Sequence, residues 1–92
     1  MSLNTKQKQQ LKAQAHSLKP VVMLGNQGFS EAVKKELDRA LFDHELIKIN
    51  LAVKDRDERR ELLQTICLAM EAELVQAIGN MGVIYRRSNK PK

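Results

Sequence analysis

Two glycines, Gly25 and Gly28, enclose Asn26 and Gln27 in the stretch VVMLGNQGFS. Glycine has no Cβ, so a ligand can come close to the backbone of such a loop, and the first N–H groups of a following helix attract anions. The chemistry on offer is contact with a phosphate. Read alone, the tetrapeptide is also what a plain strand-to-helix turn requires. Its spacing does not fit the P-loop, which sets four residues between its glycines and a lysine after the second, or the three-glycine dinucleotide fingerprint. A second tetrapeptide, GNMG over 79–82, echoes the first but falls between two apolar runs of strand type. With no helix dipole to aid it, it reads as a hairpin turn.

Reactive constellations are scarce. His16 and His44 are the only histidines, each near a predicted helix end, and they do not form a pair at metal-ligand spacing. Cys67 is the only cysteine and falls on an apolar helical stripe, which predicts a buried, inert thiol. Internal disulfides and cysteine-based zinc sites are thereby excluded, and no cofactor, metal or catalytic activity is expected. Three aromatic residues, Phe29, Phe42 and Tyr85, are too few for a stacking platform of the RNA-recognition kind. Any nucleic acid must therefore be held chiefly through phosphates, sugars and shape, which favours folded RNA over an unstructured strand.

Charge is unevenly distributed. The net charge is +5, and residues 1–30 hold Lys6, Lys8, Lys12 and Lys19 without an acid. Residues 74–92 hold Arg86, Arg87, Lys90 and Lys92, again without an acid, so all eleven carboxylates lie between Glu31 and Glu73. If the two ends meet in the fold, they create a basic face, the footprint of a nucleic-acid binder. Solvated, solubilising termini would have the same composition. Arg56, Arg59 and Arg60 alternate with Asp55, Asp57, Glu58 and Glu61, a pattern that predicts mutual pairing on a solvated helix face.

The elements that position these residues follow from apolar spacing. Asn4 or Ser2 can cap a first helix to about Ser17, with Leu11, Ala15 and Leu18 on one stripe and Lys8 and Lys12 beside it. Pro20 stops that helix, and VVML is a strand. Ser30 caps a second helix running to about Asp43, with Val33, Leu37, Ala40 and Leu41 facing inward. LIKINLAV alternates, turning Lys48 and Asn50 toward water or a partner. Asp55 opens a third helix with Leu62, Leu63, Ile66, Cys67 and Met70 on its core stripe; LVQAI and VIYRR form a closing hairpin, with Arg86 and Arg87 on opposite faces. The order α-β-α-β-α-β-β predicts an α/β fold of the two-layer α+β type, with a mixed four-stranded sheet packed against helices. The 92 residues suit a single domain, with a frayed tail from Ser88. Apolar runs such as VVML are far short of a membrane span, and no signal peptide is apparent, so a cytoplasmic protein without membrane contact is expected.

A lysine-rich first helix, LKPVVMLGNQGFSEAV, HELIKINLAV and LVQAIGNMGVIYR occur in that order. Together they closely resemble the bacterial YhbY proteins, the stand-alone form of the CRM domain (chloroplast RNA splicing and ribosome maturation), from about Leu3 to Arg87. The resemblance implies a fold similar to the C-terminal domain of translation initiation factor three. It also implies a KH-like G-x-x-G loop on the RNA-binding surface, here Gly25, Asn26, Gln27 and Gly28. Family basic residues around that loop contact RNA, which carries over to Lys8, Lys12, Lys19 and Arg86. KH loops usually hold a basic residue between the glycines; this one does not, so the charge must come from its neighbours. Bacterial members associate with precursors of the large ribosomal subunit. The expected function is thus non-enzymatic binding of structured ribosomal RNA during subunit assembly, by a monomer. The alternative is a protein–protein adaptor on ribosomal particles that uses the same basic face.

Overall fold

The computed structural model describes residues 4–25 and 28–88. Ser2, Asn26, Gln27 and the tail beyond Ser88 lie outside them. Seven elements follow the predicted order: α1 Thr5–Ala15, β1 Pro20–Leu24, α2 Glu31–His44, β2 Leu46–Leu51, α3 Arg56–Met70, β3 Glu73–Ile78 and β4 Met81–Tyr85. Each helix starts at a side-chain cap. At α1, Asn4 Oδ1 accepts from the Gln7 N–H at 2.8 Å while Gln7 Oε1 accepts from the Asn4 N–H at 3.0 Å, a reciprocal capping box. Ser30 Oγ accepts from the Val33 N–H, and Asp55 Oδ1 from the N–H groups of Asp57 and Glu58.

The sheet order is β1-β2-β4-β3, with β1 parallel to β2 and the other neighbours antiparallel. The crossovers β1-α2-β2 and β2-α3-β3 advance in the same direction across the sheet. Right-handed connection therefore puts α2 and α3 on one face. There Val22, Leu24, Ile47, Ile49, Leu51 and Ile84 meet Leu37, Leu41, Leu63, Ile66 and Met70 in the main core. Alternate strand residues point the other way, and on that face Leu46, Val75, Val83 and Tyr85 pack against Leu11 and Ala15 of α1 and Leu18 just beyond it. Helices thus lie on both faces, and α1 adds a partial third layer to the two that composition and spacing predict.

The two glycine tetrapeptides meet different requirements. In the first, the Gly28 N–H donates to the Gly25 carbonyl at 3.0 Å, closing a tight turn, and Gly28 has a φ of +66°. In the second, the turn proper is only Gly79 and Asn80, while Gly82 belongs to β4. Among the described residues nothing lies within 4 Å of a Cβ built on Gly25 or Gly28, whereas one on Gly82 would stand 2.5 Å from Leu63 Cδ2. Gly82 exists so that α3 can seat Leu63 against the strand. Gly82→Ala should therefore lower stability by about 1–3 kcal/mol through overpacking. Gly25→Ala should stay within about 0.5 kcal/mol of the parent, and urea denaturation midpoints check both.

Candidate nucleic-acid interface

The strand register lays the α1 face out in rows. Leu46 pairs with Tyr85 beneath α1. Two residues further along the strands, Lys48, Val83 and Gln76 form the next row. Beyond it Met23, Asn50, Met81 and Ile78 form a third. α1 does not reach this last row: Met23 is 66% exposed and Ile78 60%. Asn80 Nδ2 donates to Asn50 Oδ1 at 3.2 Å, which fixes the amide in the middle of the row.

The third row ends at the glycine loops. The Ala52 N–H donates to the Leu24 carbonyl at 2.8 Å and the Leu51 N–H to the Asn80 carbonyl at 2.7 Å. The loop opened by Gly25, the end of β2 and the Gly79–Asn80 turn therefore stand side by side along one edge. The Gly28 N–H is already used within its own loop, and Ser30 takes up that of Val33, so part of the backbone donor set predicted to be free is internally satisfied. Phe29, just after the loop, packs against the main core and anchors it.

Along α1, Lys8, Lys12 and His16 recur at four-residue spacing and so occupy one flank of the helix. His16 lines a recess with Lys48, Gln76, Ile78 and Met81, which identifies that flank as the one beside the uncovered rows. Lys8 and Lys12 are half-buried, as expected of lysines whose stems lie along a neighbouring surface, whereas Lys6 is exposed. Lys19 lines the adjoining recess with Val21, His44, Leu46 and Lys48. Neither recess has a carboxylate in its lining. The structure thus brings Lys8, Lys12 and Lys19 to the same sheet face and adds Lys48 between them.

Arg86 stands apart from this group. Its guanidinium donates to Asp38 Oδ1 at 2.9 Å, to the Asp38 carbonyl at 3.0 Å and to the Met70 carbonyl at 3.2 Å. It ties the end of β4 to α2 and α3 on the opposite face, so the two acid-free chain ends do not combine into one surface through this residue. Arg87 is exposed and shares a recess with Glu71 and Glu73. The predicted pairing of Arg56, Arg59 and Arg60 with neighbouring acids is also not what forms. Among the described residues the ion pairs are Arg39 with Asp43 and Arg86 with Asp38, while Arg59 Nη1 donates to the carbonyls of Val53 and Lys54 and braces the entry to α3.

Lys48 and Asn50 were marked by the alternation of their strand as facing water or a partner, but nothing local joined them to the lysines of α1. Met23, Ile78, Met81, Gln76 and His16 carry no such mark, because only strand register and the path of α1 bring them together. Cys67 is half-buried, and burial, followed by the nearby Glu73 carboxylate, raises its thiol from 9.0 to about 11.

Comparison with known proteins adds a family to this geometry. The family model described as "CRS1 / YhbY (CRM) domain" matches residues 3–86. "Probable RNA-binding protein PA4753" of Pseudomonas aeruginosa is 48% identical over 91 residues, covering 99% of this chain and 88% of the relative. A Haemophilus influenzae protein named "RNA-binding protein" is 46% identical, with 99% and 92% covered. The solution structure of the hypothetical protein SAV1595 from Staphylococcus aureus superposes with a TM-score of 0.85 at 40% identity, covering 99% of this chain and 95% of that one.

Two outcomes follow from the side-chain environments. Arg86→Ala removes hydrogen bonds that join three elements and should cost on the order of 2 kcal/mol, read as a lowered urea midpoint. At pH 8 the raised pKa cuts the Cys67 thiolate fraction by on the order of a hundredfold, and the greater nucleophilicity of a more basic thiolate offsets about tenfold of that. Iodoacetamide should therefore alkylate the native thiol at least about tenfold more slowly than the urea-unfolded one, the gap narrowing as pH rises toward the native pKa.

Proposed function

This chain belongs to the CRS1 / YhbY (CRM) domain family, and from that premise we propose that it binds structured RNA through the half of the sheet face that α1 leaves open. The observation that carries the reading is the charge of that surface. Lys8, Lys12, Lys19 and Lys48 border it, none of them holds an ion pair among the described residues, and no carboxylate lines its recesses. A polyanion is favoured there by Coulomb attraction and by release of its counterions. Two other recesses are lined by Glu71 and Glu73 in one case and by Glu31, Asp38 and Glu71 in the other, which disfavours the same ligand, whereas one beside the Gly79–Asn80 turn holds Lys54 and Arg59 without a carboxylate.

Within this reading, Gly25 to Gly28 provide the close backbone approach, and the lysines of α1 provide the charge that the loop lacks. Asn26 and Gln27 lie between the two glycines in sequence and are proposed as part of the same contact. The RNA proposed is ribosomal, in a precursor of the large subunit whose assembly the protein assists; the support is the resemblance of the whole chain to the ribosome-associated branch of the family. Crosslinking in cells followed by sequencing of the attached RNA should return large-subunit segments. A scatter over messenger RNA would sink the ribosomal part, and co-sedimentation with ribosomal particles that survives nuclease treatment would favour an adaptor.

In a salt titration against a ribosomal RNA fragment, log affinity should fall with log salt by about 0.7–0.9 per phosphate neutralised. Lys8→Ala and Lys12→Ala should each lower that slope by close to one such increment, and Arg86→Gln should leave it unchanged. Slopes indifferent to both lysines would remove α1 from the interface.

A further inference from the structure

We propose that the recess between the last turn of α1 and the uncovered sheet rows receives one unpaired base of the bound RNA. The inference rests on the RNA-binding reading and deepens it, from a charged surface to a subsite with a defined guest. The recess has a volume of about 150 Å³, room for a single heterocycle and too little for a base pair. Its floor is apolar and closed, with Ala15 2% and Val83 3% exposed. Ile78 and Met81 form an apolar wall, and His16, Lys48 and Gln76 stand around the mouth.

These side chains match the two chemistries of a nucleobase, a flat apolar face and a polar edge. A thioether is polarizable and packs well on aromatic rings, so Met81 can do part of what an aromatic platform does in other RNA-binding folds. The amide of Gln76 carries both donors and an acceptor, the combination needed to read a base edge, and Lys48 adds donors. None of the three polar side chains at the mouth makes a hydrogen bond within the described residues, so their capacity faces the recess and solvent. An unpaired base presents its face and edge together, whereas a stacked pair hides both.

The surroundings also favour a nucleotide as the occupant over an acidic or apolar peptide. The phosphates flanking an inserted base would lie toward Lys8 and Lys12 on one side and the glycine loop on the other. The adjoining recess shares Lys48 and is likewise without acids. This arrangement also resolves a tension in the composition, since a chain with three aromatic residues cannot read a long single strand but can hold one base projecting from a folded RNA.

Two hairpin RNAs of identical stem, one fully paired and one with a single bulged nucleotide, are titrated into the full-length protein at low salt, with each of the four bases in the bulge. The bulged RNA should bind roughly tenfold more tightly than the paired one, the low end of the range for one base stacked on an aromatic side chain. Gln76→Ala and Ile78→Ser, both at solvent-accessible positions, should abolish that preference by bringing affinity for the bulged RNA down to that for the paired stem. In methyl NMR of the unmodified protein, Ile78 and Met81 signals should move further with the bulged RNA than with the paired one. Equal affinities with equal methyl shifts would overturn the subsite and leave RNA binding intact. No binding of either RNA would overturn both readings, and methyl shifts with an acidic peptide alone would give the recess to a protein and overturn the proposal.

Discussion

A single helix laid across a sheet cannot cover it. Strands of five or six residues run roughly 17–20 Å, whereas a helix with its side chains is about 10–12 Å wide, so α1 shields one end of β2, β3 and β4 and leaves the other. The rest of the molecule depends on this mismatch. The covered end, with Leu46, Val83 and Tyr85 under Leu11, Ala15 and Leu18, fixes the helix. The open end, with Met23, Asn50, Met81 and Ile78, is a surface that the protein leaves to solvent or to a ligand.

Placement of α1 is itself a consequence of the other helices. Both crossovers advance in one direction and share one hand, so α2 and α3 take the same face and α1 takes the free one. That arrangement turns a division along the chain into a division in space. The carboxylates begin at Glu31 and end at Glu73, the stretch that contains α2 and α3, whereas the first thirty residues are acid-free. Acids therefore gather on the side of α2 and α3, and the α1 face keeps lysines that hold no ion pair among the described residues. Arg86 belongs to the first side, where Asp38 and the Met70 carbonyl hold it.

The glycines show how one residue type serves unlike ends. Gly28 is needed for its backbone angle in an open loop, and Gly82 for the space that Leu63 fills. In sequence the two tetrapeptides look like copies. Their equivalence ends once Leu63 of α3 packs over Gly82, whereas a Cβ on Gly25 or Gly28 meets no described residue, although both loops stand at the same edge of the sheet.

Much of the fold was readable from spacing that repeats within a few residues. The caps at Asn4, Ser30 and Asp55, the apolar stripes of the helices, the alternation through Lys48 and Asn50, the order of elements and the segregation of charge are local properties of the chain. They determine which residues face inward and which stretches are basic. Tertiary structure alone decided which sheet face each helix takes, that Arg86 turns away from the lysines, and that Met23, Asn50, Met81 and Ile78 share a row. The physical reason is distance along the chain: strand register and crossover hand join residues that local periodicity cannot relate.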